Sequence, residues 1–422
     1  MTWRSSLAPL SQRGFRAYWA GRTVSLFGNT LAPVAVAFAV LGIGGDAGDL
    51  GLVLAARGVP QVLLLLFGGV VSDRYSRQRL LVLACVLSGI VQAVAAGLLI
   101  SGAATVALLA VVEAVHGAVS AFTMPALAGI VPLVVPRRQW QQANALSSAG
   151  RTGAIMLGPA LGGVIVATAG AGWGLAVDAA TFVLAGAFFA RLHLPATERL
   201  PGSSTLQDLR EGWGEFTSRT WLWVVVLAFS ALNAVYAGAW MTLGPVIAAD
   251  TIGPQGWGFA LASMAVGMLV GTLVLLRVSW EHPLRAGMSG ALLIAIPIAT
   301  LGLSPTLTVL LLAAFVGGIG FDLFTITWET AMQEHIPADR LSRVFSYDML
   351  GSFVAIPVGQ VVAGAAAEAF DPGPVVLAAS AGYVVIGAAA LLTPSVWNLR
   401  RRTDIQQVEP PSVTDDDLRG SH

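Results

Sequence analysis

The sequence predicts an all-α membrane protein with twelve transmembrane helices in two pseudo-symmetric six-helix bundles. Three observations predict it. Hydrophobic residues make up 56% of the 422 and only 11% are charged, a composition that suits helices in lipid rather than a water-soluble globule. Twelve apolar runs each reach the roughly 20 residues a helix needs to cross the hydrocarbon core with its backbone amides paired internally. Arginine and acid segregate between alternate connections, the pattern left when cytoplasmic loops retain positive charge.

The first run, 20–42, follows Arg4, Arg13 and Arg16. Runs 50–72 and 79–101 flank a charged stretch, GGVVSDRYSRQRLL (68–81). Runs 105–130, 144–169 and 173–194 complete the first half, with Arg137 and Arg138 between the fourth and fifth. Residues 195–220 form the one long connection. In it Leu206, Leu209, Trp213 and Phe216 recur at helical spacing behind Thr205 and Asp208, which fit a capping box, so an amphipathic helix on the inner leaflet is expected, with a solvated linker as the alternative. The second half reads 221–248, 256–277, 286–304, 306–331, 345–369 and 373–395. The tail after Arg400 is polar and acidic and is expected to be disordered. The predicted organisation is therefore a bundle over 1–194, a cytoplasmic linker over 195–220, a bundle over 221–398 and a cytoplasmic tail over 399–422.

With this assignment every arginine outside the spans lies on the side of the N-terminus. The opposite connections hold only Asp46, Asp49, Asp250, Glu368 and Asp371. The two faces are called the arginine side and the acid side below. Both termini are expected to be cytoplasmic and the protein to sit in the cell membrane. The halves also echo each other. VPRRQWQQANAL from Val135 and IPADRLSRVFSYDML from Ile336 place Pro136 and Pro337 201 residues apart; Gly158-Pro159 with Ile356-Pro357, and Asn29 with Asn233, repeat at nearly that offset. A duplicated six-helix unit puts a substrate site at the repeat interface near the bilayer midplane.

Composition also excludes classes. Net charge is zero, with no bias toward nucleic acid. All 23 basic residues are arginine; without lysine there is neither a GxxxxGK[ST] nucleotide loop, and hence no ATP-driven pumping by this chain alone, nor a Schiff base. Five scattered histidines, the single Cys85 and the lack of a nucleophile elbow give no reason to expect a metal site, a cofactor or an enzyme.

Gly69-Val-Val-Ser-Asp73-Arg74-Tyr-Ser-Arg77-Gln-Arg79, between the second and third runs, resembles the loop signature GxLaDRxGRkxxl of the major facilitator superfamily, departing from it at Ser76 and Gln78. FRAYWAGRTVSLFGN from Phe15, AFTMPALAGIVPLVVP from Ala121, and WETAMQEHIP with RVFS from Trp328 are similar to the branch holding macrolide and drug exporters and the enterobactin exporter. The resemblance covers both halves. It implies an alternating-access transporter, with Asp73, Arg74 and Arg77 as a latch to the eleventh span. Gly158-Pro159-Ala-Leu-Gly162-Gly163 is similar to the core of the superfamily's antiporter motif, with Ala154 where an upstream glycine is usual. Its small residues allow close helix contact and its proline a bend.

Ionisable groups at membrane depth are costly and mark pathways or pairs. Glu113, Asp178 and, nearer the middle, Asp322 are the candidate proton carriers. Glu113 and His116 share a helix face, and Arg57 lies in the same half of the membrane. Arg22, Arg151, Glu329 and Asp348 lie toward the arginine side and are expected to build gate pairs; static pairing that fixes helix packing is the alternative throughout. The branch often has an acid in the first span, where this chain has Asn29, which cannot titrate. Asn29, Asn233, Tyr236, Trp240 and Phe321 are candidate contacts for a large, mostly apolar solute. The expected function is proton-coupled export of a small amphipathic molecule by a monomer in the bilayer. Siderophore export or small-solute import on the same scaffold is the alternative, and a non-transporting receptor would have no use for these buried charges.

Overall fold

The computed structural model describes residues 7–127, 130–192, 194, 213–214, 216–275, 277–278, 280–303 and 306–401, except for the side chains of some helix positions, Asp73 and Arg74 among them. The described chain is helical, and twelve of its helices are long and apolar enough to cross a membrane. They are α1 (Arg13–Gly42), α2 (Ala47–Arg74), α3 (Arg77–Ile100), α4 (Val106–Leu127), α5 (Trp140–Ala169) and α6 (Ala171–Ala190), then α7 (Thr220–Asp250), α8 (Gly253–Leu275), α9 (Pro283–Gly302), α10 (Leu307–His335), α11 (Tyr347–Ala369) and α12 (Pro372–Leu391). Several run past their predicted ends: α1 begins at Arg13 rather than 20 and α10 ends at His335 rather than 331. A helix continues into the headgroup region, where hydropathy no longer reports it.

Acid-side turns are short. Gly170, at φ 95°, is the one residue between α5 and α6 and takes a left-handed conformation that side chains disfavour. Two of the acid-side acids are structural: Asp46 Oδ1 accepts from the Asp49 amide at 2.9 Å, and Asp49 Oδ2 accepts from the Asp46 amide at 3.3 Å, a capping box at the start of α2. On the arginine side, Trp213 and Phe216 stack together (5.8 Å between centroids) and pack on Tyr347 at the start of α11. The rest of the expected linker helix, Leu206 and Leu209 included, and the tail beyond Arg401 lie outside the described residues.

Three spans of the second half depart from α geometry where the sequence predicted continuous helices. α7 carries a π turn over Ala237–Thr242, in which Thr242 Oγ1 donates to the Ala237 carbonyl at 3.1 Å. α9 tightens to a 3-10 turn at Leu292–Ile294. α11 is joined from the helices Ala338–Phe353 and Ile356–Ala369. Pro357 explains the last break, because it has no amide to give the Phe353 carbonyl and its ring crowds that oxygen. Pro159, its counterpart, is accommodated inside an unbroken α5.

Core packing shows how the halves meet. Toward the arginine side each half has its own core: Phe15, Tyr18, Leu81 and Phe189 in the first, Leu222, Leu284, Met288 and Met332 in the second. Toward the acid side a single core, with Leu31, Leu50, Trp240, Trp257 and Tyr383, runs through both. α5 crosses α8 and α2 crosses α11 through glycines. A Cβ on Gly163 would stand 2.5 Å from the Pro254 carbonyl oxygen and 3.2 Å from Gly258 Cα; one on Gly364 would stand 2.6 Å from the Ala47 carbonyl oxygen and 2.9 Å from Gly48 Cα. The molecule is thus closed on the acid side.

Replacing Gly163 by valine should cost about 1–3 kcal/mol of stability in the closed arrangement, as overpacking does, and increase labelling of a cysteine introduced at Phe38. Gly97→Ala, where a Cβ meets nothing within 4 Å, should change neither thermal midpoint nor labelling.

Candidate functional site

Two features converge near the middle of the molecule: a buried polar network inside the first half and a cavity between the halves. The network is assembled from five helices. Arg57 of α2 reaches Glu113 of α4, Nη1 to Oε2, at 3.4 Å, and its Nη2 donates to Asn29 Oδ1 of α1 at 3.5 Å. His116, one turn along α4, has Nδ1 3.9 Å from Glu113 Oε2 and its ring edge-on to Phe182 at 5.5 Å. Gln92 of α3 donates from Nε2 to Asp178 Oδ2 of α6 at 2.8 Å and lies 3.3 Å from His116 Nδ1. As the acceptor of that contact, a neutral His116 carries its proton on Nε2. Thr181 Oγ1 donates to the Asp178 carbonyl at 2.7 Å and approaches Asp178 Oδ1 at 3.4 Å.

Glu113, His116, Asp178 and Gln92 are all essentially inaccessible. Burying such groups is costly unless they are hydrogen-bonded, and here the network spreads them over one arginine, two carboxylates, an imidazole and an amide. Glu113 Oε1, Gln92 Oε1 and His116 Nε2 have no hydrogen-bond partner among the described residues, so the chain of groups can take up further hydrogen bonds or a proton. The Gly28 position keeps α6 close, since a Cβ there would collide with Thr181 Oγ1 and Asp178 Oδ1.

The cavity has two adjoining parts. A central part of about 250 Å³ is lined by Asn29 and Thr30 of α1, Tyr236 and Met241 of α7, Met264 of α8 and Phe321 of α10. It is mainly apolar; Tyr236 spends its hydroxyl on Met264 Sδ at 3.6 Å. A second part of about 620 Å³ opens between the arginine-side halves of α5 and α8. Ile155, Ala265 and Met268 line both. Asp322 stands on one wall, accepting from Thr272 Oγ1 at 2.7 Å, and Arg151 is exposed on the other. Asn29 is the junction, because it lines the central cavity and also holds Arg57.

Of the three candidate proton carriers, Glu113 and Asp178 share the network, whereas Asp322 belongs to the cavity. The gate pairs expected among Arg22, Arg151, Glu329 and Asp348 are not made in this conformation. Arg22 donates to the Tyr18 hydroxyl, Asp348 is buried accepting from Trp328 Nε1 at 3.2 Å and Ser352 Oγ at 3.3 Å, Glu329 is exposed, and no ion pair joins the four among the described residues. The halves stand apart on that side. Arg77 opens α3; the side chains of its predicted partners in the latch, Asp73 and Arg74, lie outside the described residues.

Two expected cavity contacts are corrected. Trp240 is fully buried against Trp257, 4.9 Å between centroids, in the acid-side core, and Asn233 donates to the Ser352 carbonyl at 2.9 Å across the α7–α11 junction. They stand three residues before and four residues after Tyr236; the π turn rotates Trp240 away from the face of Tyr236, while Asn233, in the α-helical part before it, faces α11. In the antiporter-like motif, Gly158 and Gly162 seat α5 on Thr30 and Leu31 of α1, Gly163 seats it on α8, and Pro159 lines the central cavity. Sequence reasoning missed Gln92, an amide within the largely apolar stretch 80–100 of α3, and Met264 and Met268, which are four apart and so share a helix face.

A family model, Major Facilitator Superfamily, matches residues 18–360. The multidrug efflux pump Tap of Mycobacterium tuberculosis is 27% identical over 390 residues, covering 88% of this chain and 91% of its own length. Macrolide efflux protein A of Streptococcus pyogenes is 22% identical over 362 residues, 84% of this chain and 89% of its own. Among solved structures, the nucleoside transporter NupG superposes with a TM-score of 0.71 at 17% identity, over 92% of this chain and 100% of that one. The chain belongs to the major facilitator superfamily. It is a multi-pass membrane transporter of small molecules and not an enzyme.

Removing Arg57 alone would leave Glu113 a buried charge without its cation, so Arg57→Ala should destabilise by about 3 kcal/mol or more. Adding Glu113→Gln should recover much of that loss. Thermal unfolding of both single variants and the double variant measures the coupling.

Proposed function

We propose that the protein exports a small, largely apolar molecule in exchange for protons, by rocking its halves, 1–194 and 221–398, about the central cavity. Asn29, shared by the cavity and the Arg57–Glu113–His116–Gln92–Asp178 network, is the observation that carries this reading. It supplies a direct contact between solute and titratable groups. A proton on Glu113 and the Arg57 guanidinium compete for the same carboxylate, and a solute hydrogen-bonded to Asn29 competes with Arg57 for the amide oxygen. Solute binding that displaces Arg57 from Asn29 leaves it to Glu113 and drives the proton off, the sign that antiport requires.

Direction and orientation follow from charge. The positive-inside pattern makes the arginine side cytoplasmic, so the cavity between α5 and α8 admits solute from the cytoplasm while glycine contacts shut the outer side. Closing that cavity would bring Arg22 and Arg151 of the first half toward Asp322, Glu329 and Asp348 of the second, with the Asp73–Arg74–Arg77 loop as the latch. Efflux is also what the names of Tap and macrolide efflux protein A describe for those relatives. One proton moving down about 150 mV supplies roughly 3 kcal/mol, enough for a gradient on the order of a hundredfold.

Everted membrane vesicles with a luminal pH-sensitive dye provide the test. Once energised and given macrolides, tetracyclines and cationic dyes in turn, wild-type vesicles should release protons for at least one compound. Glu113→Gln should abolish that release and Asp178→Asn should diminish it. Release of normal size from Glu113→Gln would remove Glu113 as carrier.

A further inference from the structure

The wider part of the cavity has a charge on each wall. On α10, Asp322 is held by the Thr272 hydroxyl at 2.7 Å, a bond that fixes one carboxylate oxygen and leaves the other for a ligand. Gly271 brings α8 close enough for this, since a Cβ there would lie 3.0 Å from Asp322 Cβ and 3.3 Å from its Oδ2. On α5 of the other half, Arg151, an exposed residue, lines the same space. The two are not within ion-pair distance of each other, so neither neutralises the other directly. Ile155, Ala265 and Met268 also line the adjoining apolar central part, with Met241, Met264 and Phe321.

We infer that Asp322 and Arg151 form a head-group site for a dipolar molecule, one with an ammonium and a carboxylate or similar anion on a short apolar body. The ammonium sits at Asp322, the anion at Arg151, and the body lies among the methionines and Phe321. The chemistry follows from sign and distance. A singly charged head satisfies one wall and leaves the other charge unpaired beside an apolar body, whereas a dipolar head satisfies both. Methionine side chains adapt to bodies of different shape, so selectivity falls on the head. The inference rests on the efflux reading for its physiological meaning, but the site is defined by binding.

Three ligands with one body test it: naphthylalanine, the corresponding naphthylethylamine, and naphthylpropionate. Their binding to the full chain in lipid nanodiscs is measured by calorimetry at neutral pH. Naphthylalanine should bind wild type at least about tenfold tighter than either analogue, the low end for one hydrogen bond to a charged group. Asp322→Asn should erase its advantage over the acid but not over the amine, and Arg151→Gln should do the reverse. Thr272→Val, which keeps both charges and removes only the hydroxyl that orients Asp322, should weaken naphthylalanine several-fold and naphthylpropionate not at all. Loss of affinity for all three ligands by the same factor in a variant would assign that residue to structure alone. Equal affinity of wild type for the three, or no binding of any, would overturn the dipolar head site. Proton release from the vesicles described above would then still decide the efflux reading, so the two can fail separately.

Discussion

The contact on which the rest of the structure depends is backbone against backbone on the acid side, where α5 meets α8 and α2 meets α11 with no side chain between. In lipid no hydrophobic force pushes helices together, so close approach through small residues, with its dispersion and Cα–H···O contacts, must hold them. Gly163 and Gly258 serve one crossing, Gly48, Gly51 and Gly364 the other. Gly163 and Gly364 are 201 residues apart, the separation of Pro136 and Pro337. The duplicated unit therefore supplies the same glycine to both crossings. Because both seal one end, the halves share a core there and part at the other end, and the cavity between α5 and α8 is the geometric consequence.

The buried charges are arranged with respect to this seam. Arg57, Glu113, His116, Gln92 and Asp178 all belong to the first half, so a rigid-body rotation of that half carries them without breaking a bond among them. The cavity, in contrast, is shared: α1 and α5 form one wall, α7, α8 and α10 the other. A network confined to one body can respond to a solute held between two bodies only through a residue that belongs to both environments. Asn29 is such a residue, and it cannot titrate. Its amide oxygen accepts from Arg57, so in the proposed mechanism the effect of a solute passes through Asn29 to Arg57.

Much of this was legible in the sequence, and the remainder failed for identifiable reasons. Hydropathy and arginine placement gave the twelve spans, since crossing lipid leaves few other solutions. Glu113 and Asp178 stood out because charge at membrane depth is rare. Their connection through Gln92 did not, because it depends on which faces of α3, α4 and α6 meet, and glycines such as Gly28 and Gly89 that set those faces carry no periodic signal of their own. Trp240 was misplaced for a related reason: the π turn over Ala237–Thr242 inserts an extra residue, so Trp240 does not share the face of Tyr236, and nothing in the sequence marks that turn. Arg22, Arg151, Glu329 and Asp348 were expected to pair as a gate, but which charges pair is a property of one conformation of the chain, which hydropathy and spacing do not encode.

The two halves have also divided their labour in a way that the repeat alone would not suggest. Every interruption of α geometry within the described spans falls in the second half: the π turn of α7, the 3-10 turn of α9 and the break in α11. The fully buried acids fall in the first. Pro159 and Pro357 show the divergence at equivalent places, one held inside a continuous helix, the other at a break. A polar network whose hydrogen bonds run from 2.7 to 3.5 Å loses them with small displacements, so it is best kept in a stiff body. The bending that the proposed alternating access demands is then best assigned to the half without it. The interruptions of α7 and α11 flank the seam directly, with Gly238 packed on Gly359 and Ala363, so deformation there moves the cavity wall bearing Tyr236 while leaving the wall bearing Asn29 in place. The relative motion of those two walls is what a solute between them would sense.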